Sequence, residues 1–143
     1  MSSSRRVAAL LALALSGIAA VAASAAFGSP ATSATISATE RDFAISLPKV
    51  VQAGPVDIHV TNRGPDQHEL IAVRAPSKNL PLRGDGLTVN EEALAKAEAG
   101  VLEPGKPGSV RDLHVVLRPG RYVFFCNMSG HYMAGMHAVV VVK

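Results

Sequence analysis

From residue 35 onward, apolar and polar positions alternate in short runs separated by turn residues, the period-2 signature of half-buried strands. Residues 35–40, 43–47, 56–62 and 69–74 make a first set, with Ala53-Gly54-Pro55 and Arg63-Gly64-Pro65 as breaks. A second set covers 110–117, 121–126 and 137–142, with a turn at Arg118-Pro119-Gly120. Between the sets, 90–99 predicts a helix. Asn90 caps it, Glu91 and Glu92 occupy the first turn, the alanine-rich run to Ala99 propagates it, and Gly100 stops it. Seven or eight short strands with one short helical insertion predict an all-β fold, an antiparallel β-sandwich or small barrel.

The first residues follow a different pattern. Arg5 and Arg6 precede an uncharged, alanine- and leucine-rich run over 7–26, which ends in small residues. This predicts a signal peptide over 1–25, cleaved after Ala25 within Ala23-Ser24-Ala25. Ser4-Arg5-Arg6 is compatible with the twin-arginine export route as well as with an ordinary positive leader. Left uncleaved, the run is long enough to anchor the chain in a membrane. Residues 26–34, small and polar with Pro30, predict a flexible linker, and 35–143 a single domain with one core. The chain is therefore expected in the periplasm or another extracytoplasmic space.

Charge changes this picture little. Losing Arg5 and Arg6 with the leader lowers the formal net charge from +3 to +1, so nothing calls for nucleic acid or a strongly acidic partner. Cys126 is the one cysteine, so no disulfide forms within the chain although an exported protein would permit one. An unpaired thiol in that setting needs another role.

Cys126, His131 and Met136 supply that role by recurring at five-residue intervals, a spacing wrong for one helical face but suited to a loop that turns three donors toward one point. Thiolate and thioether are soft ligands and imidazole suits either oxidation state, so the set selects copper. A second histidine completes a His₂Cys trigonal site. His68 is the best placed, after the turn 62–67; if 56–62 and 69–74 pair across that turn, it lies at one end of the sandwich. Tyr122, Phe124 and Cys126 share one face of their strand, which points the thiol inward near the same end.

Other candidates have plainer readings. His59 opposes Val56, Ile58 and Val60 on its strand and His114 lies among Leu113, Val115 and Leu117, so both belong to solvent-facing positions. His137 alternates away from Met136, and Met128 and Met133, which match no ligand position, read as filling gaps in the core. Asp112, Glu91 and Glu92 read as surface or helix-start charges. Gly84 and Gly86 lack the third glycine and following helix of a phosphate-binding loop.

With the strand order and the run Pro119-Gly120-Arg121-Tyr122-Val123-Phe124-Phe125-Cys126 followed by the ligand loop, the chain resembles the cupredoxins, the blue copper family. The resemblance implies a Greek-key β-sandwich over nearly all of the domain. It also implies one type 1 copper ion, cycling between Cu(II) and Cu(I), with His68, Cys126 and His131 as strong ligands and Met136 as the long axial one. Backbone amides of Glu69 and Met128 would donate to the thiolate, and the carbonyl of Gln67 would lie near the opposite axial position. His131 would be the solvent-edge ligand, set among Pro65, Met133 and Ala134, where redox partners such as a cytochrome or an oxidase dock transiently on a monomer. Glu69 departs from the family's usual asparagine or serine after the first histidine, so no relative's potential transfers.

Two further function classes compete. An exported copper carrier or reserve would use the same donors. An enzyme is disfavoured, since no His-x-His pair offers a site for further coppers and a dinuclear centre needs a second cysteine. Structural zinc is disfavoured by the methionine in the set.

Overall fold

The computed structural model describes residues 32–143. The signal peptide predicted over 1–25, and most of the linker predicted over 26–34, lie outside the described residues. Among these residues no helix is long and apolar enough to cross a membrane.

Among the described residues, nine strands form two sheets. One sheet has the order β2 (Ala44–Ser46), β1 (Ala34–Arg41), β4 (Gly54–Asn62), β7 (Val110–Leu117). The other has the order β3 (Val50–Val51), β9 (His137–Val142), β8 (Gly120–Phe125), β5 (His68–Arg74), β6 (Glu98–Gly105). The result is the expected β-sandwich, not a closed barrel, and its sheets are mixed: β1 runs parallel to β4 and β3 parallel to β9.

Alternation fills the space between the sheets. Val56, Ile58, Val60, Leu113, Val115 and Leu117 meet Leu70, Ala72, Tyr122, Phe124, Val140 and Val142 in one buried cluster. Val123 and Phe125 point the other way, yet they too are buried, in a second cluster with Ile71, Val73, Leu80, Val89 and Tyr132. The excursion between β5 and β6 therefore roofs the outer face of the second sheet, which explains why β5 and β8 read as nearly continuous apolar runs.

Three expectations are corrected. The helix predicted over 90–99 shrinks to α1 (Glu91–Leu94), capped by the Asn90 side chain on the Ala93 amide at 3.2 Å, and the chain re-enters a strand at Glu98. Gly100 is not a helix stop: a Cβ there would lie 2.6 Å from Val115 Cγ1, so glycine lets β6 close onto β7. Residues 56–62 and 69–74 do not pair, because β4 and β5 belong to opposite sheets and the turn between them crosses the sandwich.

Candidate metal centre

That crossover places His68. Asn62, fully buried at the end of β4, donates its side-chain amide to the carbonyls of Asp66 (2.8 Å) and Gly105 (3.0 Å) and accepts from the Gly64 amide (2.9 Å). One side chain thus satisfies the turn's backbone and delivers His68, also fully buried, to the first position of β5. The β5–β6 register shifts between His68 and Leu70, and the Glu69 amide turns to the Cys126 sulfur.

The second segment is the loop between β8 and β9. It closes on itself: the Cys126 amide donates to the Met136 carbonyl (3.1 Å), the Met136 amide to the His131 carbonyl (2.9 Å), and the His131 amide to the Met128 carbonyl (2.9 Å). Three residues spaced by five are thereby tied together through their backbones. Cys126 and Met136 are fully buried, whereas His131 keeps a partly exposed edge.

The two segments converge. Nitrogen atoms of His68 and His131 and the Cys126 sulfur all lie within 4.8 Å of one another, and Cys126 Sγ stands 3.6 Å from His131 Nδ1. First-row metal bonds of roughly 2.0 Å to imidazole and 2.3 Å to thiolate, set at trigonal angles, separate two donors by about 3.7 Å. His68 Nδ1 is buried without any hydrogen-bond partner, while its Nε2 is held by Asp42 Oδ1 at 3.0 Å. A buried lone pair left unpaired costs about 1–3 kcal/mol, and an ion at this point removes that cost. The donor set fits a metal ion.

Electrostatics agree. Burial pushes the Cys126 thiol up to about 11, against the backbone amides of Glu69 and Met128, which favour the thiolate. Those are the two amides the sequence resemblance implied. Burial also holds the His68 imidazole below its ordinary range, partly offset by Asp42, so neutral imidazole is favoured. Both groups are in the protonation economy of a site that a cation completes.

No protein-family model matches the chain, and no curated protein matches it. Solved structures do. Auracyanin A, a "blue" copper protein from the green thermophilic photosynthetic bacterium Chloroflexus aurantiacus, is similar at 19% identity and a TM-score of 0.59, over 78% of this chain and 100% of that one. An azurin from Methylomonas sp. strain J is similar at 14% identity and 0.56, over 78% and 99%. Rusticyanin from Thiobacillus ferrooxidans is similar at 13% identity and 0.54, over 78% and 79%. The chain has the cupredoxin fold.

Within this cupredoxin fold the remaining histidines stay outside the cluster. His59 and His114 are exposed and pair with Asp112 and Asp57 across β4 and β7. His137 packs its ring against Tyr132 at 5.3 Å, on the far side of the loop. Met133 is about half exposed, at 53%, and so does not fill a core gap. A cleft of about 810 Å³ is lined by Pro55, Arg74, His114, Arg118 and Tyr122, among others, and contains none of the four candidate ligands.

Asn127 was not singled out by sequence, yet it joins the loop to the excursion. Its Oδ1 accepts from the Val89 amide (2.6 Å), its Nδ2 donates to the Val89 carbonyl (3.1 Å) and to Glu91 (2.6 Å), and its amide donates to Glu69 (3.0 Å). Tyr132 adds a second tie, its hydroxyl accepting from the Leu80 amide at 3.0 Å. Its place directly after the cysteine was the available signal: a polar side chain at the buried end of an apolar strand must be hydrogen-bonded. Asn127→Ala is expected to cost about 2–3 kcal/mol, because both Val89 backbone groups lose their partner in a buried place. Urea unfolding measures it; a loss under about 0.5 kcal/mol would show that Asn127 does not brace the loop.

Proposed function

We propose that this chain is an exported electron carrier holding one copper ion in a type 1 site. The observation that carries the proposal is the buried His68, its Nδ1 unpartnered, brought together with a thiol and a second imidazole. His68, Cys126 and His131 would be the strong donors holding the ion, and Met136 a weak fourth donor. Bound there, copper supplies a one-electron couple between Cu(II) and Cu(I).

The protein's part is to hold its donors still. His68 is clasped by Asn62's turn, Cys126 directly follows a strand paired on both sides, and the loop is braced by Asn127 and Tyr132. A donor set that keeps one geometry in both oxidation states suits electron exchange without ligand rearrangement. His131 offers the exposed edge, and its ring meets the exposed Phe43 edge-on at 5.7 Å. Phe43, Met133, Pro65 and Ala134 form the surface on which a cytochrome- or oxidase-like partner would dock transiently to a monomer. The leader over 1–25 would export the domain over 35–143 to the periplasm or an equivalent space, with membrane attachment only if that leader is retained. Complete burial of His68, Cys126 and Met136 favours a shuttle over a copper carrier, which must surrender its ion.

The test is metal analysis with a visible spectrum of the chain expressed in an oxidising compartment. One copper per chain with an intense visible band is expected; zinc alone, or no metal, would sink the reading. A shuttle keeps Cu(I) against a competing apo-protein and exchanges electrons rapidly with a cytochrome, whereas a carrier does the reverse. Met136→Leu is expected to raise the reduction potential with copper retained, because leucine conserves volume but gives no donor to Cu(II). A redox titration followed by absorbance measures this, and complete copper loss would contradict the role of a weak fourth donor.

A further inference from the structure

We propose that Asp42 is a positioning residue for the metal centre, fixing the tautomer and orientation of His68 and holding the reduction potential down. The proposal rests on the copper reading above and adds to it a carboxylate that no motif or spacing singles out. Asp42 lies in the turn between β1 and β2, 26 residues before His68, and its Oδ1 stands 3.0 Å from His68 Nε2. A carboxylate oxygen accepts, so Nε2 carries the proton and the Nδ1 lone pair is left free to bind a metal ion. His68 Nδ1 being buried and unpartnered is the other half of the same observation.

The surroundings are shaped for this contact. A Cβ on Gly64 would lie 2.6 Å from Asp42 Oδ1 and 2.8 Å from His68 Nε2, so only glycine at 64 leaves room for the pair. Gly64 is itself pinned by its amide to Asn62 Oδ1 at 2.9 Å. The next residue of the turn, Phe43, adopts a positive φ of 61° and sets its ring against His131. One short turn therefore touches both candidate imidazole ligands, by a hydrogen bond to one and an edge contact to the other.

A carboxylate on the far nitrogen makes an imidazole a stronger donor and places negative charge beside the ion, and both effects favour Cu(II) over Cu(I). Asp42→Asn keeps an acceptor and removes the charge; Asp42→Ala removes both. In the copper-loaded chain, Asp42→Ala is expected to weaken Cu(II) binding about 10-fold relative to Cu(I), which for one electron raises the potential by about 59 mV, with Asn shifting it in the same direction. In the metal-free chain, nitrogen NMR is expected to show His68 protonated at Nε2, and Asp42→Ala to mix the two tautomers. Gly64→Ala, which leaves Asp42 intact and pushes it away, is expected to behave like Asp42→Ala. Unchanged potential in folded, copper-loaded Asp42→Ala, or an unchanged tautomer in its metal-free form, overturns the proposal. Failure of the copper reading looks different: the unaltered chain takes up no copper, while the tautomer measurement still decides what Asp42 does.

Discussion

Replacing Cys126 by serine is expected to abolish the intense visible absorption of the oxidised, copper-loaded chain. Such a band needs an anionic sulfur bonded to Cu(II), and Cys126 is the one thiol in the sequence. Its surroundings do not ionise it unaided, since burial pushes the thiol to about 11 in spite of two amide donors. A metal ion is what deprotonates it at neutral pH. Serine fills nearly the same space, so the sheet beside Phe125 and the backbone ties to Met136 survive, but a hydroxyl is a hard donor that keeps its proton. The loss is therefore expected with the fold intact. Absorption spectra, copper stoichiometry and circular dichroism of the variant check all three points. A band unchanged in position and intensity would mean that sulfur at 126 does not hold the metal.

Much of this candidate site is legible in the sequence because its candidate ligands obey local rules. Cys126, His131 and Met136 lie within eleven residues, so their spacing alone shows a loop that can close. Strand alternation, likewise, correctly turned His59, His114 and His137 outward or aside. Asp42 and Gly64 escaped because their meaning exists only once β1 and the crossover turn are brought together. Nothing near Asp42 in the chain contains His68.

The missed strand shows the same limit from another side. Residues 93–99 are good helix formers, and propensity alone carries the helix to Gly100. Yet β5 buries both faces and needs a hydrogen-bonding neighbour on its free side, which β6 supplies through Leu70 opposite Leu102 and Ile71 opposite Val101. Pairing and burial outweigh a propensity of a few tenths of a kcal/mol per residue. Pro104 is tolerated because β6 is the sheet's edge.

Arg111→Met is expected to destabilise the fold by about 3–5 kcal/mol, without changing any candidate ligand. Glu40, on β1, is completely buried, and Arg111 on β7 donates to its Oε2 and to the Glu103 carbonyl. Burial raises the Glu40 carboxyl above its usual range even with the guanidinium beside it, so charge there is already costly. Methionine keeps the apolar stem of arginine but leaves a buried carboxylate with no counter-charge. The position makes the effect relevant to the site: Glu40 stands opposite Asn62 in the β1–β4 register, and its carbonyl accepts from the Arg63 amide at 2.8 Å, beneath the turn that presents His68. Urea unfolding of the variant measures the loss, and a value under about 1 kcal/mol would contradict it. Replacing both partners, Glu40→Leu with Arg111→Met, is expected to recover most of the stability, because the cost lies in the unpaired charge and not in the missing contact. If the double variant is no more stable than the single one, the pair contributes through packing rather than charge, and the turn below His68 is held by shape alone.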